Sequence, residues 1–150
     1  MLRAIQKFFE QNISTDQPDD LEHKLKLATG ALLIEMMQQD HQVQYEEKQQ
    51  IKAVLIQEFS LISSEADSLF ELAEAEAKEA TDLYQFTSLI NQHYTQEQKI
   101  KVVEYLWRIA YADQHLDAHE EHILRRIADL IYVSHKDFIQ TKHKVQARLN

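Results

Sequence analysis

The chain has 150 residues and a formal net charge of −9, with one glycine, one proline and no cysteine. This length allows one domain with its own hydrophobic core, and the lack of cysteine excludes disulfide frameworks, thiolate nucleophiles and cysteine-based zinc sites. The negative charge argues against nucleic acid as the main partner, because binding a polyanion requires a basic face. The basic residues are scattered, apart from a mild C-terminal cluster of Lys136, Lys142, Lys144 and Arg148.

The composition predicts an all-α protein. Straight-chain helix formers dominate, and a single glycine and a single proline leave almost no material for tight β-turns. We expect one domain over residues 1–150, a compact bundle of about seven to eight helices with short links. Residues 1–18 are predicted to form an N-terminal helix and a connector, and residues 19–150 the core. The sequence contains no signal peptide and no run of ~20 apolar residues, so we expect a cytoplasmic protein without a transmembrane segment.

Apolar residues recur every three or four positions in successive segments, which is typical of helices with one buried face. The first helix is predicted over residues 1–10, and the helix from Gln96 to about Ala112 has the widest apolar face. Later helices begin at capping or start signals. In chain order these signals are Asp16 with Pro18, Gln44, Ser63 or Ser64, Thr81, Thr95, Asp117 and Ser134. Thr95 with Gln98, and Asp117 with Glu120, have the spacing of a capping box.

Two acidic hairpins share one pattern. In each, an Asp is followed three residues later by an aliphatic residue and seven residues later by a Glu, from Asp40 to Glu47 and from Asp113 to Glu120. Superposing the two Asp residues also aligns the apolar stripes on both sides. The pattern predicts an internally duplicated helical hairpin, packed about a pseudo-twofold axis.

Helical spacing directs the acidic residues of both hairpins toward the core. Each Asp continues the apolar stripe of the preceding helix, and each Glu lies on the stripe of the following one. An Asp at the carbonyl end of a helix costs ~0.3–1 kcal/mol, because that end carries partial negative charge. Either the N–H groups of the next helix or a bound cation would offset this cost. Carboxylate oxygens favour a calcium-like or magnesium-like cation, so the predicted ligands are Asp40, Glu47, Asp113 and Glu120, with Asp117 as a lesser candidate that should cap its helix.

The second hairpin carries a family signature. Residues Ala110 to Glu120 read Ala-Tyr-Ala-Asp-Gln-His-Leu-Asp-Ala-His-Glu. This resembles the tellurite-resistance TerB-like proteins, whose signature is Ala-x-Ala-Asp-Gly-x-aliphatic-x-x-x-Glu, and Asp40 to Glu47 is a weaker copy. The resemblance covers residues about 20 to 145. It implies a compact helical fold with internal pseudo-symmetry, an acidic patch that binds divalent metal, a link to tellurite or chemical stress, and no established enzymatic activity.

The chain departs from the family signature at one position in each hairpin. His41 and Gln114 stand where the family has a glycine after the Asp. If that glycine adopts a positive φ or brings a carbonyl to the metal, the substitution weakens the metal site.

Other site classes fit the sequence less well. His119 and His122 point away from the inward stripe, and His115 lies in the turn, which argues against a zinc site. An EF-hand is excluded because the twelfth residue counted from Asp113 is Leu124 rather than a glutamate. The sequence also lacks the paired Glu-x-x-His motifs of di-iron proteins and the Gly-x-Ser-x-Gly motif of serine hydrolases.

The leading hypothesis is a non-enzymatic module whose four predicted carboxylates bind a divalent cation or dock a partner protein. The alternative is a purely structural helical adaptor, in which the same residues only cap helices. A metal-dependent hydrolase ranks third, because neither a general base nor a substrate pocket can be identified. The identity of the metal, the partner and the oligomeric state do not follow from the sequence.

Overall fold

The computed structural model describes residues 9–13, 20–40, 44–79, 85–112 and 118–149. These residues form a short π-helical segment, Phe9–Ile13, followed by seven α-helices and no strand. The α-helices are α1 (Leu21–Asp40), α2 (Tyr45–Phe59), α3 (Ser63–Glu79), α4 (Gln85–His93), α5 (Gln96–Ala112), α6 (Ala118–Leu130) and α7 (His135–Leu149). The predictions of an all-α fold and of about seven to eight helices are therefore confirmed.

Several of the sequence predictions cannot be compared with this fold. Most of the predicted first helix, over residues 1–10, lies outside the described residues. So do Asp16 and Pro18, the predicted start signals of α1, and Asp117, the predicted cap of α6. Thr81, the predicted cap of α4, also lies outside them. The helix that it should start begins at Gln85 in the described part of the chain.

Helix α1 is the most deeply buried element. Every residue from Leu27 to Met36 is buried, so this part of the helix has no solvent-exposed face. It packs against α2, α3, α5, α6 and the π-helical segment. The buried hydroxyl of Thr29 donates a hydrogen bond of 2.7 Å to the carbonyl oxygen of Leu25, which satisfies it within the helix. A helix that is buried on all sides forms the centre of a core rather than its edge.

Helix α5 completes the core and packs against α1, α2, α6 and α7. The indole of Trp107 is fully buried and joins α5 to α7. Its Nε1 donates a hydrogen bond of 3.0 Å to the carbonyl oxygen of Phe138. The two rings lie 4.8 Å apart between centroids, a distance typical of attractive aromatic pairs. Trp107 is therefore a core residue that packs α7 against α5.

Two of the predicted helix caps are present. The backbone N–H of Gln98 donates to the hydroxyl of Thr95 at 3.1 Å, and the N–H of Thr95 donates to Oε1 of Gln98 at 2.8 Å. This is the reciprocal capping box that the sequence predicted. The hydroxyl of Ser134 accepts from the N–H of Asp137 at 3.2 Å and caps α7.

The predicted start of α3 was wrong. The helix begins at Ser63, earlier than the expected start at Glu65, and neither Ser63 nor Ser64 is its N-cap. Instead, the carboxylate of Glu65 accepts a hydrogen bond of 3.1 Å from the backbone N–H of Ile62. It also bonds to the ring of His23 at 2.7 Å. An acidic residue in the first turn can supply this bond, so the helix starts without a hydroxyl cap.

The single glycine of the chain lies where α1, α2 and α3 are closest. A Cβ atom at Gly30 would meet Cδ1 of Leu69 at 2.9 Å and Cδ2 of Leu55 at 3.4 Å. Its backbone does not have a positive φ, so conformational freedom is not the reason for glycine at this position. The reason is the close approach of two leucine side chains on neighbouring helices.

Replacing Gly30 with Val should therefore destabilise the fold. The γ-carbons would enter space that Leu55 and Leu69 already fill, and overpacking of this kind costs about 1–3 kcal/mol. Urea unfolding of both proteins measures the difference in the free energy of unfolding. Ala53→Val, at an exposed position of α2, controls for the effect of Val on helix propensity and should cost less than about 1 kcal/mol. Equal losses in the two variants would contradict the packing explanation.

Candidate functional site

The two predicted acidic hairpins lie at the ends of the helices that form the core. Asp40 is the last residue of α1, and Asp113 directly follows Ala112, the last residue of α5. Glu47 is the third residue of α2, and Glu120 is the third residue of α6. The four residues therefore occupy matching positions in the two helix pairs.

The side chains of this predicted site lie mostly outside the described part of the structure. Asp113 and Asp117 are not among the described residues. For Asp40 and Glu120 the structure describes the backbone but not the side chain. Among the described residues, no group of three His, Cys, Asp or Glu side chains is arranged to hold a metal ion. Convergence of the four carboxylates therefore stays a prediction.

Glu47 is the member of the set whose side chain is described. Its Oε1 accepts a hydrogen bond from the backbone N–H of Gln44 at 3.3 Å, across the first turn of α2. Glu47 therefore acts as a helix cap, and it is partly exposed. A carboxylate has about four acceptor sites, so a cap and a metal ligand are compatible in one residue.

The contacts between helices are symmetric under exchange of the two predicted hairpins. Helix α1 contacts α5, and each of the two also contacts the second helix of the other pair, α1 with α6 and α5 with α2. A pseudo-twofold axis relating α1 and α2 to α5 and α6 would require this pattern. The duplication itself stays a prediction.

The structure contains a buried ionic cluster that the sequence did not reveal. Glu104, on α5, is only 2% exposed. Its carboxylate lies 2.7 Å from Nζ of Lys144 and 2.9 Å from Nζ of Lys101, and Nη1 of Arg148 lies 3.6 Å away. Burial raises the pKa of Glu104, but the hydrogen bonds from Lys144 and Lys101 and their charges outweigh it and hold the pKa below its ordinary value.

The spacing of these residues indicates only neighbours within one helix, not the whole cluster. Lys101 and Glu104 are separated by one turn of α5, and Lys144 and Arg148 by one turn of α7. The C-terminal basic residues stand out in the sequence, but their role depends on the packing of α7 against α5. Sequence alone gives no reason to pair Glu104 with residues 40 or more positions away.

A second arginine lies near this cluster. Nη2 of Arg108 is 3.4 Å from the carbonyl oxygen of Glu58 and 3.9 Å from its carboxylate. The Arg108 guanidinium lies over the rings of Tyr105 and Phe59, 5.4 and 5.6 Å from their centroids. Cation–π contacts of this kind hold an arginine in place without using its N–H donors.

Glu104→Gln should destabilise the protein by about 1–3 kcal/mol at neutral pH, because it removes charge-assisted hydrogen bonds from a buried position. The pKa of Glu104 is lowered by folding, so its stabilisation is present above the unfolded pKa and is lost as the pH falls through the folded pKa. The difference from wild type should therefore shrink in acid. Urea unfolding of both proteins at a series of pH values measures this difference in the free energy of unfolding.

Glu71→Gln is the matched control for this experiment, because Glu71 is an exposed glutamate on α3. It should change the free energy of unfolding by less than about 0.5 kcal/mol at any pH. A loss in Glu104→Gln that stays constant down to strongly acidic pH would show that the charge of Glu104 is not the cause.

Within the described residues, no helix has the length and hydropathy required to cross a bilayer.

Comparison with known proteins identifies the family of the chain. No curated protein and no solved structure matches the chain. The family model described as Tellurite resistance protein TerB matches residues 26–143 of the 150 residues. This match includes both acidic hairpins and all of α2 to α6, and the chain therefore belongs to the TerB family.

Proposed function

We propose that this TerB-family chain is a non-enzymatic binding module that acts in the response to tellurite or chemical stress. Its predicted carboxylates, Asp40, Glu47, Asp113 and Glu120, bind a divalent cation of the calcium or magnesium type. The observation that carries the proposal is their matching placement. Each Asp lies at or directly after the end of a core helix, and each Glu is the third residue of the next helix.

Electrostatics supports a cation at these positions. The C-terminal ends of α1 and α5 carry partial negative charge, and an Asp at each end adds to it. The chain as a whole has a net charge of −9. A divalent cation held by oxygen ligands would offset the negative charge at both helix ends. Asp and Glu oxygens are the ligands that such cations prefer.

The same negative charge makes a partner protein with a basic surface the second candidate ligand of this site. Nucleic acid is a poor candidate, because its phosphates would be repelled by the acidic hairpins. We place the module in the cytoplasm, where a divalent cation or a basic partner would reach both hairpins from solution.

The structural alternative has one specific observation in its favour. The carboxylate of Glu47 accepts a hydrogen bond from the N–H of Gln44, as a residue that only caps α2 would do. In this alternative the chain is a helical adaptor, and the acidic residues stabilise the hairpins without binding a cation. The two hypotheses differ in the effect of variants that keep the cap and remove the charge.

Titration with calcium, magnesium, manganese and zinc should produce metal-dependent heat and a rise in Tm for at least one ion. Asp113→Ala should lose both, because it removes a ligand oxygen and its negative charge. Isothermal calorimetry and thermal denaturation measure the two effects. Asp129→Ala, an exposed aspartate of α6, is the control and should behave like the wild type. If none of the four ions produces heat or a thermal shift in the wild type, the cation proposal is wrong.

Glu47→Gln and Glu47→Ala separate capping from cation binding. Gln can still accept the bond from Gln44, so in the presence of a chelator Glu47→Gln should cost only a few tenths of a kcal/mol, whereas Glu47→Ala should cost about 1 kcal/mol. With the cation present, Glu47→Gln should lose the metal-dependent part of its stability. Urea unfolding with and without metal measures both. If Glu47→Gln equals the wild type under both conditions, Glu47 is only a cap.

A further inference from the structure

A cavity of about 120 Å³ lies between α2, α5 and α7. Its lining residues are Glu58, Arg108, Tyr111, Ala112, Val145 and Arg148. We propose that this cavity binds a carboxylate carried on a short apolar group, with Arg108 and Arg148 holding the carboxylate. None of the lining residues is one of the four carboxylates proposed to bind a cation, so this proposal does not depend on the cation site.

Arg108 is held in position for such a ligand. The rings of Tyr105 and Phe59 contact its guanidinium, and these two rings pack edge to face with centroids 5.4 Å apart. Its contacts with Glu58 measure 3.4 and 3.9 Å, which is longer than an ordinary N–H to oxygen hydrogen bond. Among the described residues, the Arg108 fork therefore makes only weak hydrogen bonds, and a carboxylate could replace them with two short parallel ones.

Arg148 supplies the second guanidinium. Its Nη1 lies 3.6 Å from the carboxylate of Glu104, but Lys144 and Lys101 lie closer to that carboxylate, at 2.7 and 2.9 Å. Glu104 is therefore satisfied by two ammonium groups, and the contribution of Arg148 to it is small. The side chain of Arg148 is 54% exposed, so it can turn toward a ligand in the cavity without leaving a buried position.

The charges around the cavity favour an anion. Two arginines and one carboxylate, that of Glu58, line the cavity. Elsewhere along the interface of α5 and α7, Glu104 is paired with Lys101 and Lys144. The described lining therefore has an excess of one positive charge in a chain whose net charge is −9. Such a local excess attracts an anion at short range.

The apolar walls select among anions. Tyr111, Ala112 and Val145 line the cavity, and a bare inorganic anion would leave these surfaces in contact with water. A carboxylate attached to a few carbon atoms would cover them. The volume corresponds to about four water molecules at ~30 Å³ each, which is enough for such a group. A free short-chain acid and the glutamate side chain of a partner polypeptide share this chemistry.

The test is to titrate the isotopically labelled full chain with small ligands and to monitor its amide signals by NMR. A chelator is present throughout. Butyrate should cause saturable shifts of the amide signals of Tyr111, Ala112 and Val145. Butanol, which has the apolar group without the charge, and sulfate, which has charge without the apolar group, should each bind at least about tenfold more weakly. N-acetylglutamate α-amide, which keeps the side-chain carboxylate, represents a glutamate side chain of a partner polypeptide. If it binds at least as tightly as butyrate, the source is a partner protein; if only butyrate binds, the source is a free acid.

Variants of Arg148 then test whether its guanidinium contacts the carboxylate of the ligand. Arg148→Gln should weaken butyrate binding by about tenfold, and Arg148→Lys should have an intermediate effect because it keeps the charge and loses the planar fork. Arg125→Gln, at an exposed position of α6 that does not line the cavity, should bind as the wild type does. Circular dichroism confirms that each variant is folded.

Three results would overturn the proposal. One is the absence of saturable shifts at the three cavity amides, and another is equal binding of butyrate, butanol and sulfate. The third is wild-type affinity in Arg148→Gln. Because the titration is performed without metal, failure of the cation proposal and failure of this one are distinguishable.

Discussion

The fold depends on the burial of α1 around its whole circumference. Because every residue from Leu27 to Met36 is enclosed, each side of α1 requires a neighbouring element, and four other α-helices and the π-helical segment meet that requirement. Close packing also restricts side-chain size, and Gly30 marks the position where a Cβ atom would come within 2.9 Å of Leu69 Cδ1. Helices α2, α3, α6 and α7 each pack against this helix, against α5 or against both.

Burial of α5 has an electrostatic consequence. Its Glu104 faces the C-terminal helix inside the protein, and the cost of burying a carboxylate is offset by Lys101 on the same helix and by Lys144 on α7. These cations create a basic region within an acidic protein. Elsewhere along the same interface, Arg108 and Arg148 line the proposed anion cavity together with Ala112, the residue that precedes Asp113 in the chain.

Local signals in the sequence were reliable where the interaction itself is local. The capping box of Thr95 with Gln98 and the cap at Ser134 involve residues within one turn, so their spacing is sufficient to predict them. The start of α3 was mispredicted because Glu65, rather than a serine, supplies the bond to the first turn, and its contact with His23 comes from another helix. The family assignment likewise rested on a continuous stretch, and it was correct.

The sequence by itself determined the helical class, the order and approximate limits of the described helices, two of their caps and membership of the TerB family. All of these follow from propensity, periodicity and short-range spacing. Only the tertiary structure decided that Glu104 is buried beside Lys144 and Arg148, that Arg108 lies over the ring of Phe59, and that a cavity separates the two arginines. The physical reason is that these contacts join helices far apart in the chain, and the packing of α5 against α2 and α7 sets them rather than any pattern within one helix.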